Sequence, residues 1–200
     1  MLVLLVLTGS SLSAQHMRWE KALRQHRKKT ERSFRSPETS PLRDLAPGFP
    51  GNEYFPATPA FRVIATVERT PDSEPFTLST SNPDRQKQFV RYAILHFEIN
   101  QIPCSLEVYR NIGLLRLEKY RTYLFLPFTD LTNGESTYGG GRYLDLEVPE
   151  GEVMEIDFNY AYNPYCVYRY DGWSCPIPPD VNRLPVAIEA GVKDYDSANH

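Results

Sequence analysis

Two alternating apolar runs, 89–100 and 102–110, meet at Asn100-Gln101, and the way they must pair restricts this chain more than any other feature. With Asn100-Gln101 as a two-residue turn, paired positions add to 201, so Ile99 faces Ile102, Phe97 faces Cys104, Leu95 faces Leu106 and Ala93 faces Val108. Every pair on that face is apolar, and a slip of one residue would destroy the match. Cys104 therefore reads as a buried core thiol and not as a nucleophile. The opposite face carries Tyr92, His96, Glu98, Ser105, Glu107 and Tyr109, which reads as a solvated sheet face.

Six further runs, 61–68, 76–79, 121–128, 142–148, 154–159 and 184–189, share the same alternation or are rich in β-branched and aromatic residues. Turn signals separate them, and no helical pattern lies between. The expectation is a mainly β fold, an antiparallel sandwich or barrel of about eight short strands. With 200 residues, one such body has its own hydrophobic core. A share of 24% charged and 41% hydrophobic residues argues against wholesale disorder.

The segment 159–183 breaks that regularity. It holds five of the tyrosines, four prolines, Trp173, Cys166 and Cys175, and its prolines rule out regular helix. Irregular segments on a rigid scaffold are where binding and catalysis concentrate. Cys166 and Cys175 are separated by eight residues, and a structural disulfide is the plain reading in an oxidising compartment. A redox pair is less favoured, because the spacing is not Cys-x-x-Cys. A metal site is less favoured still, since His16, His26, His96 and His200 are scattered.

The first residues speak for such a compartment. Residues 2–7 are apolar, and Ser-Leu-Ser-Ala14 offers the small residues that a signal peptidase reads, so 1–15 is expected to be an export signal. The apolar run is far shorter than the ~20 residues of a membrane span. The mature chain is then expected in the periplasm or outside the cell. Residues 16–36 form a basic helix: 16–35 carries a balance of +6 in a chain of −3, so the remainder carries −9. Trp19, Leu23 and Phe34 give it a narrow apolar stripe for packing on the acidic body. Binding to an anionic membrane surface or to nucleic acid is the weaker reading, because no groove-reading motif or aromatic interleaving accompanies the charge. A Pro/Gly-punctuated connector over 37–60 leads to a β domain over 61–192, with a flexible tail over 193–200.

One loop carries a candidate site. Thr129-Asp-Leu-Thr-Asn-Gly-Glu-Ser-Thr-Tyr-Gly-Gly-Gly-Arg142 has three consecutive glycines, which permit positive φ and close backbone approach. Its backbone N–H groups and Arg142 can surround a carboxylate or phosphate. The alternative is a glycine bulge at a bend, with Arg142 paired to Asp130 or Glu135. No nucleotide loop, nucleophile elbow, His-Glu-x-x-His or dinucleotide fingerprint is present, and no cofactor or metal is expected. Asp145 with Glu147, and Glu155 with Asp157, sit at outward strand positions, where acidic residues usually form a solvated face. The expected pocket joins this loop to 159–183, with Arg142 reading an anion, Tyr138, Tyr165 and Trp173 as walls, Asp130 and Asn163 as polar orienters and Gly140 in the turn.

Four stretches carry a family resemblance: Phe125-Leu-Pro-Phe-Thr-Asp, Thr137-Tyr-Gly-Gly-Gly-Arg-Tyr-Leu-Asp-Leu, Asp157-Phe-Asn-Tyr-Ala-Tyr-Asn-Pro-Tyr-Cys and Trp173-Ser-Cys-Pro-Ile-Pro-Pro-Asp-Val-Asn-Arg-Leu-Pro-Val. With the basic helix at Trp19 and Phe49-Pro-Gly-Asn-Glu-Tyr-Phe-Pro56, they resemble the bacterial and archaeal family catalogued as domain of unknown function 1684. The resemblance covers nearly the whole mature chain. It implies an uncharacterised family and brings no activity or cofactor. Three functions stay open: a module binding a small polar or anionic ligand in the cleft of 129–143 and 159–183, a hydrolase using the same cleft, and a structural or interaction protein without a small-molecule site.

Overall fold

A computed structural model describes residues 7–168 and 172–195. The chain divides into two compact units, Met1–Gly51 and Asn52–His200. In the first, α1 spans Leu7–Arg35. It begins well before residue 16, because nothing between Gly9 and Ser36-Pro37 stops a helix. Arg32 and Arg35 occupy its last turn, where basic side chains complement the partial negative charge of the unpaired carbonyls. Glu20 pairs with Arg24 at 3.3 Å, and Glu31 with Arg35 at 3.6 Å. Beyond the helix the chain folds back, so that Phe49 lies 5.0 Å from the Phe34 ring and Arg35 donates to Pro50 O at 2.9 Å.

The second unit is an antiparallel half-barrel of seven strands. They are β1 (Arg62–Arg69), β2 (Phe76–Leu78), β3 (Lys87–Ile99), β4 (Ile102–Asn111), β5 (Tyr123–Phe128), β6 (Arg142–Glu147) and β7 (Val153–Asp157). Their order is β6-β5-β4-β3-β1-β7, with β2 also on β3. The β3–β4 hairpin has the expected register: Ile99 pairs with Ile102, Phe97 with Cys104, Leu95 with Leu106 and Ala93 with Val108. Asn100 and Gln101 turn at φ 51° and 66°, the positive pair that a two-residue hairpin turn demands. Cys104 is free and buried, and desolvation raises its pKa.

Between Arg91 and Ala93 the register shifts by a bulge. The extra residue, Tyr92, is turned into the main core and leaves the face expected for it. That core packs Leu95, Phe97, Leu106, Val108, Leu126, Phe128, Leu144, Ile156 and Phe158 along one side of the sheet.

Residues 184–190 show how a strand pattern can form without a strand. Leu184, Val186, Ile188 and Ala190 are buried in alternation, yet the segment joins no sheet ladder. Its backbone bonds to a distant loop: Leu184 N donates to Thr129 O at 2.8 Å, and Leu131 N donates to Val186 O at 3.2 Å. A side chain completes the set, as described below. At the end of the chain, Lys193 N donates to Glu53 O and Asp194 N to Ser136 O, so these two backbone positions of the expected tail are bonded. Residues 196–200 of that tail and 1–6 of the expected signal lie outside the described residues.

Candidate functional site

The pleat gives the sheet a second side. Arg91 pairs with Tyr109, Tyr109 with Phe125 and Phe125 with Asp145, so these four form one row across β3, β4, β5 and β6. Around the row, Leu78, Phe89, Tyr109, Phe125 and Tyr143 form a second apolar cluster, joined by Phe76, Tyr123 and Tyr162. Of the face expected in solvent, His96, Glu98 and Ser105 are exposed, whereas this aromatic part is covered. The 159–183 segment is fastened along it: Tyr162 and Tyr143 exchange backbone hydrogen bonds of 2.9 and 3.0 Å, and Ile177 N donates to Ser79 O at 2.7 Å. Tyr143 Oη donates to Pro176 O. A disulfide joins Cys166 to Cys175, with Cα atoms 6.3 Å apart, and Ser81 N donates to Cys175 O.

Glu107 and Tyr109, expected in solvent, are enclosed here. Tyr109 is fully buried and donates to Glu107 Oε2 at 2.9 Å, while Arg91 pairs with Oε1. Asn182, also fully buried, donates to Glu107 O and Pro127 O and accepts from Glu107 N, which locks the end of the segment onto β4 and β5. Buried groups of this kind need every partner, and Asn182 has them.

Asp145 stands at the open end of the row. Tyr123 and Tyr162 donate to its Oδ1 at 2.8 and 2.7 Å. No hydrogen bond to Oδ2 and no ion pair to Asp145 occurs among the described residues. The carboxylate is exposed. Desolvation, and then the charge of Asp145, push the hydroxyls of Tyr123 and Tyr162 far above the ordinary tyrosine value. Both therefore stay protonated and act as donors. Tyr165 is 39% exposed, and desolvation, then the charge of Asp145, raise its pKa as well. Its ring meets the half-buried Trp173 edge-on at 4.9 Å.

Arg142 occupies the arrangement named above as the alternative. It is fully buried, with Nη2 donating to Asp130 Oδ2 at 2.9 Å and to Ile188 O at 2.8 Å, and Nη1 to Ala190 O and to Val192 O at 3.1 Å. Burial lowers its pKa and Asp130 opposes the shift. Asp130 Oδ1 accepts from Thr132 N, Thr132 Oγ1 and Ile188 N. One guanidinium thus supplies the donors that a neighbouring strand would have given to the 184–192 segment. It faces no solvent from which to read an anion.

The other expected site residues fall into separate groups. Tyr138 lies on Gly140, whose added Cβ would stand 2.5 Å from Cε1 of the tyrosine ring. Asn163 is buried and donates to Lys193 O at 2.9 Å. Tyr165 and Trp173 meet each other. The two loops do touch: Gly141, at φ +90°, has Pro178 and Phe128 O so close that a Cβ would stand 2.7 and 2.6 Å from them. Of the carboxylates read as a solvated face, Asp145, Glu147 and Glu155 are exposed. Asp157 is buried, because it pairs with Arg62 at 3.3 Å and caps the next turn by accepting from Asn159 N at 3.0 Å. Tyr123 and Tyr162 were missed by the sequence reading. Alternation along β5 and β6 places Tyr123 beside Asp145, but nothing in an irregular segment announces Tyr162.

The rest of this side is open and holds a depression of about 730 Å³ lined by Arg62, Ile64, Thr66, His96 and Glu98. His96 pairs with Glu68 at 2.7 Å and stands opposite Ser105, to which no hydrogen bond runs. No cluster of three or more His, Cys, Asp or Glu suited to a metal lies among the described residues. No described helix is long and apolar enough to cross a membrane.

Residues 47–193 match the family described as "Protein of unknown function (DUF1684)". No curated protein matches the chain. Among solved structures, the solution NMR structure of the uncharacterized protein from gene locus rrnAC0354 of Haloarcula marismortui is similar, with 34% identity and a TM-score of 0.68. The similarity covers 90% of this chain and 96% of that one. On the match over 47–193 and the likeness across nearly both full chains, the chain belongs to the DUF1684 family of proteins of unknown function.

Proposed function

We propose that the chain is an exported binding module that takes a small polar ligand at the patch of Asp145, Tyr162, Tyr165 and Trp173. The observation that carries this reading is the exposed carboxylate held at one oxygen by two tyrosine hydroxyls, with no hydrogen-bond partner for the other oxygen among the described residues. Two donors fix the carboxylate in place without neutralising it, so the patch offers acceptors to a ligand bearing hydroxyl or amino groups. The Tyr165–Trp173 pair supplies apolar surface beside it. Such a site favours hydrogen-bond donors over anions, and the buried Arg142 takes no part. The Cys166–Cys175 bond and the leader-like residues 1–15 support an oxidising, exported setting.

Titration with glucosamine, glucose, ethanolamine and acetate, followed by the Trp173 indole resonance in NMR, tests the reading. A saturable shift with at least one donor and none with acetate is expected, weakened about tenfold in Asp145→Asn. Absence of any saturable shift would leave Asp145 as a pin that holds Tyr162 to the sheet, and the structural alternative would stand.

A further inference from the structure

At the bulged end of β3, three side chains from neighbouring strands stack. Arg69 of β1 lies with Cζ 3.8 Å from the centroid of the Tyr92 ring, and Arg110 of β4 lies with Cζ 4.8 Å from it. Both guanidiniums are tied back only to carbonyls, Arg69 to Tyr92 O at 3.4 Å and Arg110 to Arg121 O at 3.5 Å. Neither forms an ion pair among the described residues. Tyr92 is 5% exposed, and its hydroxyl, buried, has no hydrogen-bond partner. The Nε of Arg110 is likewise buried and unpartnered.

We propose that Arg69, Tyr92 and Arg110 form a binding site for an oxyanion, a carboxylate or phosphate group of a small ligand. Two positive groups on one ring repel each other, and a counter-anion that both can reach offsets that repulsion. Guanidiniums match the geometry of two-oxygen acceptors, so each arginine has forked donors to offer. The Tyr92 hydroxyl adds a neutral donor, and an oxyanion there satisfies a group that burial otherwise leaves without a partner. The bulge builds the site: without the extra residue, Tyr92 would lie on the other side of the sheet, away from Arg69 and Arg110. This site is separate from the Asp145 patch, and neither depends on the other.

Calorimetric titration with phosphate, sulfate and acetate, at ionic strength matched with chloride, tests the site. Saturable binding of phosphate or acetate to the full chain is expected. Arg69→Gln and Arg110→Gln should each weaken it about tenfold, as loss of a charge-assisted pair does. Tyr92→Phe keeps the ring and its stacked guanidiniums, so it should fold normally and still bind several-fold more weakly. Tighter binding of phosphate assigns a phosphate group, and tighter binding of acetate a carboxylate. Failure of all three anions to bind saturably, or unchanged binding in Tyr92→Phe, overturns the proposal and leaves a plain cation–π stack.

Discussion

Arg142 and Asp145 lie three residues apart on β6, yet the pleat sends them to opposite sides of the sheet and to opposite tasks. Arg142 points into the main core, where Asp130 and three backbone carbonyls consume its Nη donors. Asp145 points to the aromatic side, where two tyrosines hold one oxygen and leave the other open. A buried charge whose partners are all protein cannot serve a ligand, because removing any partner leaves an uncompensated charge. A charge at the rim, fixed by neutral donors, can. Strand parity, more than residue type, separates the frame from the candidate site.

The comparison breaks most visibly at Asp130. Asp130→Ala removes the acceptor of Arg142, of Thr132 and of Ile188 N at once, and should destabilise the fold by about 3–5 kcal/mol in chemical denaturation. A loss of under about 1 kcal/mol would show that the buried pair is not the frame. Phe97→Ala comes next, at about 3–4 kcal/mol, since the ring is buried against Phe158 at 6.0 Å. His96→Ala on the exposed face should change stability by less than about 0.5 kcal/mol. The reverse ranking would mean that the hairpin register is off by one residue.

The disulfide ranks just below Phe97→Ala. Cys166→Ser opens a short loop and should cost about 2.5–3 kcal/mol. Alkylation and intact mass of the native, unreduced protein should label Cys104 at most; two further labelled thiols would contradict the bond.

Alkaline pH sharpens the comparison, because the aromatic side holds tyrosines that burial raises well above their ordinary value: Tyr109, Tyr123, Tyr143 and Tyr162. Unfolded tyrosines lose protons near pH 10 while these stay protonated, so the native state binds more protons. Stability is then full below about pH 10 and falls as pH rises, by about 1.4 kcal/mol per pH unit for each such group. Urea midpoints that stay flat between about pH 9.5 and 11 would show that these hydroxyls are open to solvent.

Much of the fold is legible in the sequence, and for physical reasons. Strands with one buried face must alternate, so the β3–β4 register follows from matching Phe97, Leu95 and Ala93 to Cys104, Leu106 and Val108. The same logic fails at Tyr92, where one inserted residue reverses parity and no local signal marks the insertion. It fails again at 184–190, whose alternation is that of a strand but whose hydrogen bonds come from the backbone of Thr129 and Leu131 and from the Arg142 side chain, all distant in sequence. Cys166 and Cys175 are legible as a pair because their spacing and the compartment expected from residues 1–15 both favour a bond. The Asp145 patch is half legible: parity exposes the carboxylate, but Tyr162 reaches it only through the folded path of a proline-rich segment.

Equilibrium urea unfolding of Arg142→Met beside Asp145→Asn tests the division of β6 most directly. The expected result is a loss of about 3–5 kcal/mol for Arg142→Met, whose absence strands Asp130 and three carbonyls in the core, and under about 1 kcal/mol for Asp145→Asn. Near-parental stability of Arg142→Met together with collapse of Asp145→Asn would contradict the account, making Arg142 the dispensable group and Asp145 the frame.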